Sequence, residues 1–214
     1  MRLNAYINDS IISEHPLNPV DYGFDNLISV FKEIDKVMVE SVKDINIKNT
    51  KYAKHIDVYT DGSYTMGVGA GGFAYVIVID DKVYYKGGGG FIDDGSTGNQ
   101  SEFFGIYGGL DYLVNNIDVS NTCITVYTDS KYAKGCITDW YKKWITNGWI
   151  SSKGTPVKNK ELIQSILKLK DRIDSCGELK TVWVKGHDGN KYNELADSIA
   201  KGFADDASTS DIDD

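Results

Sequence analysis

"VYTDGS" at residues 58–63 and its near twin "VYTDSK" at 126–131 decide the fold. Each is a short β-branched and aromatic run that closes on Thr-Asp, the composition of a strand ending in a turn residue. Around the first, "HIDVYT", "GGFAYVIVID" and "KVYYKGGGGF" are β-rich runs whose connections are too short for a crossover helix, so they read as an antiparallel meander. "SEFFGIYGGLDYLVNNI" follows as a helix with Phe103, Ile106, Leu110 and Leu113 on one stripe, and the strand "CITVYT" comes next. A helix between strands permits a parallel return beside the first strand. The twin aspartates Asp61 and Asp129 then sit side by side at the carboxyl ends of neighbouring parallel strands, where open α/β sheets place their ligands. The plain alternative is two coincidental turn residues. An internal repeat does not account for the pair, because the likeness stops on either side.

Two further acids join them. Glu102 is expected in the first turn of the helix after "STGNQ", and Asp197 in "KGHDGNKYNELADSIAKGF", a polar loop leading into a final amphipathic helix behind the strand "LKTVWV". A first-turn acid alone is commonly a partner of the helix dipole. Four acids from different elements, with His187 on a Gly-flanked loop beside them, point to chemistry instead. Hard carboxylates without cysteine ligands suit Mg²⁺ or Mn²⁺, and two such ions about 3.5–4 Å apart can clamp the attacking and leaving oxygens of a phosphodiester displacement. "GVGAGG" at 67–72 fits a dinucleotide fingerprint but precedes a strand, not the helix that would hold a pyrophosphate. The run Gly87–Gly90 lacks the Lys-Ser/Thr of a phosphate loop and reads as a bulge or a close backbone approach.

The chain has 214 residues, enough for one well-filled core and an appendage. Cys123, Cys136 and Cys176 are odd in number and lack C-x-x-C spacing, which indicates neither a disulfide framework nor a zinc knuckle. No signal-like start or membrane-length apolar run is seen, so a soluble, cytoplasmic protein is expected. In residues 1–50, "FDNLISVFKEIDKVMVESVKDI" spaces its apolar positions as an amphipathic helix. This N-terminal extension, of unknown role, must bury that stripe on the main domain, a partner protein or a second copy. Residues 205–214, acidic and poor in large apolar side chains, read as a disordered tail.

The net charge of −8 conceals a basic patch. Residues 1–50 hold 5 Lys/Arg against 8 Asp/Glu and residues 205–214 hold none against 5, while residues 131–160 hold 7 Lys and a single acid, Asp139. Lys142, Lys143, Lys153 and Lys158 lie there among Trp140, Trp144 and Trp149, a mixture of charge and stacking surface that suits a nucleic-acid backbone. The tryptophans can equally serve as a small core for this segment.

"YTDGS", "GNQSE", "YTDSKY" and "KGHDGNKYNELAD", in this order and spacing, resemble the ribonuclease H family, specifically its type 1, bacterial-like branch. The resemblance covers residues 55–203, within a catalytic domain expected at 51–204, and implies an α/β fold with a five-stranded mixed sheet: the antiparallel meander, then two parallel strands, flanked by helices. It implies endonucleolytic hydrolysis of the RNA strand of RNA–DNA hybrids. By this resemblance Asp61, Glu102, Asp129 and Asp197 are catalytic acids holding two Mg²⁺ ions, Mn²⁺ being an alternative, and His187 assists proton transfer or product departure. The segment at about 135–160 looks like the basic handle of the cellular enzymes, making Lys142, Lys143, Lys153, Lys158 and the three tryptophans substrate contacts. Asn99 and Gln100 are further contacts; the family commonly has two asparagines where this chain has Gly98 and Asn99. A DNA nuclease or recombinase of the same fold would carry similar acids, but the "KGHDGNKYNELAD" loop and the handle argue against it. A non-catalytic hybrid-binding module would lose acids, and here four are present.

Overall fold

The computed structural model describes residues 2–7, 10–16, 55–92 and 97–209. The strands are β1 (Arg2–Ile7), β2 (Ser10–Pro16), β3 (His55–Thr65), β4 (Ala70–Ile79), β5 (Lys82–Ile92), β6 (Cys123–Thr128) and β7 (Glu178–Trp183). The helices are α1 (Gly98–Asn116), α2 (Lys131–Gly135), α3 (Tyr141–Thr146), α4 (Lys160–Asp174) and α5 (Lys191–Thr209), with a π-helical turn, Cys136–Trp140, between α2 and α3. The amphipathic helix expected in the first fifty residues lies outside the described residues.

The sheet order is β2-β1-β5-β4-β3-β6-β7. Its last five strands are the expected mixed sheet: β3, β4 and β5 are antiparallel, and β6 pairs in parallel with β3 and with β7. The hairpin of β1 and β2 was not expected. It docks on the outer edge of β5 through Asn4↔Gly90 and Ala5↔Gly89. An open edge offers unpaired peptide groups to any extended segment, and that offer exists only once β5 has folded.

The sheet divides two layers. On one face Ile56, Val58, Phe73, Ile77, Ile124 and Val126 pack against Phe103, Ile106, Leu110 and Leu113 of α1 and Leu162, Ile163 and Ile166 of α4. Helix α1 is covered on nearly every side, with Phe103 through Val114 buried without a break. The stripe expected from the sequence is therefore only part of its buried surface: Gly105, Gly108 and Gly109, outside that stripe, lie against β3 and β4, because a helix between a sheet and a second helix is apolar all round. On the other face α5 covers β3 to β5, with Ala196 against Tyr59, Val76 and Val78.

The glycines explain how closely α5 lies. A Cβ on Gly72 would stand 2.0 Å from the Ala200 carbonyl oxygen, and one on Gly90 2.5 Å from that of Phe203. The Gly87–Gly90 run is thus a close backbone approach; the bulge between β4 and β5 falls at Ile77/Val78. The same contact corrects the expected tail. Helix α5 continues to Thr209 and buries Ala207, because Gly90 leaves room for that last turn; residues 210–214 lie outside the described residues. Cys123, Cys136 and Cys176 are free thiols. Among the described residues no helix is long and apolar enough to cross a membrane.

Candidate active site

Strands β3 and β6 run in register to Thr60↔Thr128, and the next residue on each is an aspartate. Parallel register therefore puts Asp61 and Asp129 side by side. Asp61 is buried, 5% exposed, and its Oδ1 accepts the Gly62 amide at 2.7 Å. Glu102 arrives from the α1 layer. It is the fifth residue of α1, one turn deeper than expected, because the helix already begins at Gly98. Its approach depends on Gly62, where a Cβ would stand 2.3 Å from the Glu102 amide nitrogen. One carboxylate oxygen from each of Asp61, Glu102 and Asp129 lies within 4.8 Å of the others.

Crowding and burial raise these acids' proton affinity. Burial, then the charges of Asp129 and Asp197, push Asp61 up to about 7. Burial, reinforced by Asp61, Asp129 and Asp197, holds Glu102 well above the usual carboxylate range. Asp129 is raised by burial and by Asp197. The Glu102 Oε2 atom is buried without a hydrogen-bond partner among the described residues. A buried carboxylate oxygen left so is costly, and a cation relieves that cost and the mutual repulsion together. An all-oxygen, all-anionic donor set of this kind fits a hard divalent ion such as Mg²⁺ or Mn²⁺.

Asp197 sits on α5, beside this trio. Its Oδ2 takes an ion pair from Lys201 Nζ at 2.8 Å, and His187 Nδ1 stands 3.8 Å from the same oxygen. His187 occupies a left-handed backbone conformation (φ 52°), with its side chain 70% exposed. The loop before it passes close to the site: a Cβ on Gly186 would stand 2.5 Å from Asp129 Oδ2.

Several supporting residues escaped the sequence reading. Trp183 Nε1 donates to the Asp129 carbonyl oxygen at 2.8 Å, and Lys131 Nζ lies 4.4 Å from the centre of the Trp183 ring. The Ser130 hydroxyl caps α2 by accepting from the Ala133 amide at 3.1 Å, fixing the turn just after Asp129. Lys201 was legible, since it follows Asp197 at helical i,i+4 spacing. Gly62, Gly186 and Trp183 act across the tertiary structure and leave no local signal.

The other candidates fall into two groups. Asn99 is exposed and Gln100 half-buried in the first turn of α1. In the basic segment a ladder of rings runs from Phe103 through Tyr132, Trp140 and Trp144 to Trp149, with centroids 6.0, 5.7, 6.3 and 5.9 Å apart. Trp144 and Trp149 are half-buried and pack on the core, while Trp140 is 44% exposed. Lys143, Lys153 and Lys158 join Trp140 and Trp144 around a cavity of about 600 Å³, which Lys142 and Trp149 do not line.

Residues 53–205 match the family model described as RNase H. The chain is 38% identical to a protein named Ribonuclease H from Wolbachia sp. subsp. Drosophila simulans (strain wRi), over 151 residues that cover 69% of this chain and 94% of that one. It is 38% identical over 144 residues to a Ribonuclease H of Ehrlichia ruminantium (strain Gardel), covering 67% and 90% respectively. Among solved structures, LC9-RNase H1, a type 1 RNase H with the type 2 active-site motif, superposes with a TM-score of 0.59 at 19% identity, over 73% of this chain and 74% of that one. The foamy viral protease-reverse transcriptase in complex with an RNA/DNA hybrid gives 0.57 at 16% identity, over 72% of this chain and 20% of that one. At these identities the structural likeness is one of fold.

Proposed function

The chain belongs to the ribonuclease H family, a family of nucleases, and from that premise we propose that it cleaves the RNA strand of RNA–DNA hybrids endonucleolytically, leaving 5′-phosphate and 3′-hydroxyl ends. The observation that carries the proposal is the convergence of Asp61, Glu102 and Asp129 within 4.8 Å, together with a buried Glu102 oxygen that has no hydrogen-bond partner among the described residues. Such a cluster is unfavourable alone and complete with a divalent cation.

Asp61, Glu102, Asp129 and Asp197 would hold the metal. When bound, a pair of Mg²⁺ ions supplies an activated water and neutralises the departing 3′ oxygen. The protein's own part is positioning. Burial keeps water off Asp61, the parallel register aligns it with Asp129, and the Trp183 bond to the Asp129 carbonyl holds the strand end. His187, exposed on its loop, would carry a proton or assist product departure. The exposed lysines Lys142, Lys143, Lys153 and Lys158 bind backbone phosphates, and Trp140 offers a ring face. Asn99 and Gln100, in the first turn of the helix that carries Glu102, contact the hybrid near the cut, where the 2′-hydroxyl separates RNA from DNA.

The deciding experiment offers labelled hybrid, duplex RNA, duplex DNA and single strands with and without Mg²⁺, and maps the product ends. Mg²⁺-dependent cutting of RNA in the hybrid alone is expected. Preferential cutting of duplex DNA would point to a recombinase-like activity, and binding without cutting to a non-catalytic module.

A further inference from the structure

Asp197 stands outside the three carboxylates that converge within 4.8 Å, and Lys201 and His187 lie against it instead. Helical geometry places Lys201 one turn after Asp197, in the acid-before-base order that favours an i,i+4 pair. Lys201 Nζ lies 2.8 Å from Asp197 Oδ2, and His187 Nδ1 approaches the same oxygen at 3.8 Å, beyond hydrogen-bond length. Lys201 therefore supplies the close contact. Asp197 is 20% exposed, whereas the Lys201 side chain is 51% exposed, so the ammonium can swing into water while the carboxylate stays in place. The reach of this charge extends past its partner. At both Asp61 and Asp129 it favours the ionised carboxylate, opposing the repulsion among the acids.

We propose that Lys201 is a positioning residue that acts as an internal counter-cation, occupying Asp197 in the ion-free protein so that a divalent ion recruiting this carboxylate must displace it. The proposal rests on the reading of the acid cluster as a metal site. Its physical content is a competition. A lysine at this position makes the ion-free site less repulsive and, by the same charge, weakens the attraction for an arriving dication. Because the lysine lies on α5, its neutralisation removes charge without touching the strands that align Asp61 and Asp129.

The test is a Mn²⁺ titration of the full chain without nucleic acid, reading free Mn²⁺ by electron paramagnetic resonance and, in parallel, the melting temperature. The proteins compared are the parent, Lys201→Met, Lys201→Arg and Asp61→Asn. The Lys201 side chain is half exposed, so water screens its charge, and removing it several ångströms from a dication should tighten Mn²⁺ binding roughly tenfold in Lys201→Met. Lys201→Arg keeps the charge and should stay within about twofold of the parent. Lys201→Met should also melt lower than the parent without metal and regain the difference at saturating Mn²⁺, which a merely structural contact would not produce. Equal or weaker Mn²⁺ binding in Lys201→Met overturns the proposal, as does a Lys201→Arg titration that follows Lys201→Met. Asp61→Asn separates the two readings: if the parent binds Mn²⁺ and this variant binds it equally well, the acid cluster is not the metal site, whatever Lys201 does.

Discussion

Asp61 bears a cost that the rest of the site is built around. Its proton affinity is raised from 3.8 to about 7, with burial the largest cause. Between about pH 4 and 7 the folded, metal-free protein keeps a proton here that the unfolded chain has lost, so stability falls as pH rises through that window and levels off above it. The difference corresponds to at most about 4 kcal/mol. Asp61→Asn should therefore abolish cleavage while raising the metal-free melting temperature at pH 8 and flattening its decline with pH. Thermal melts from pH 4 to 8 without metal check this, and a variant that is both active and unchanged in its pH profile refutes the role. Metal must also displace that proton, so Mg²⁺ should bind more weakly at pH 6 than at pH 8, as calorimetry at the two values would register. His187 is an accessory on the same scale. General acid–base help is worth roughly 10²–10⁴-fold, so His187→Ala should slow turnover by no more than this and leave activity measurable. A loss as complete as that of Asp61→Asn would assign it a different role.

At the scale of elements, glycines set how close the layers come. A methyl at Gly72 would meet the backbone of α5 at 2.0 Å, a contact that no rotamer change relieves. Gly72→Ala should destabilise by about 3 kcal/mol or more, read by denaturant unfolding. An unchanged midpoint would show that α5 lies further from the sheet. The end of α5 gives a sharper comparison. Removing residues 210–214 deletes three aspartates and should leave stability within about 0.5 kcal/mol, whereas cutting after Ala204 also removes buried Ala207 and the turn over Gly90 and should lower it clearly. Equal stability of the two truncations would mean that the last turn of α5 contributes nothing.

The whole molecule separates its charges. An overall −8 coexists with seven lysines in residues 131–160, carried from the first residue of α2 to the first residue of α4. For a polyanionic substrate that local charge governs affinity, and each lost phosphate contact lowers the slope of log affinity against log salt by about one. The double substitution Lys142→Ala and Lys143→Ala should weaken hybrid binding, flatten the slope by about two and raise KM, with little change in kcat at saturating substrate. Hybrid binding equal to the parent's at every salt concentration would reassign this segment to packing.

Much of this protein is legible in its sequence. The twin Thr-Asp strand ends, the helix between them and the short links of the meander predict which strands pair and that Asp61 meets Asp129, because alternation and connection length are local properties of a chain. Other features were decided only by tertiary structure. The edge of β5 accepts β1 because the folded sheet presents unpaired peptide groups, and α5 runs on into the acidic end because Gly90 leaves space beneath Ala207. Helix α1 is buried on nearly every side from Phe103 to Val114 because α4 packs on it as well as the sheet. The raised proton affinity of Asp61 and Glu102, and the hold of Trp183 on Asp129, arise between residues far apart in sequence. Desolvation and Coulomb energy depend on distances through space, and the order of residues along a chain specifies those distances only after folding has brought the layers together.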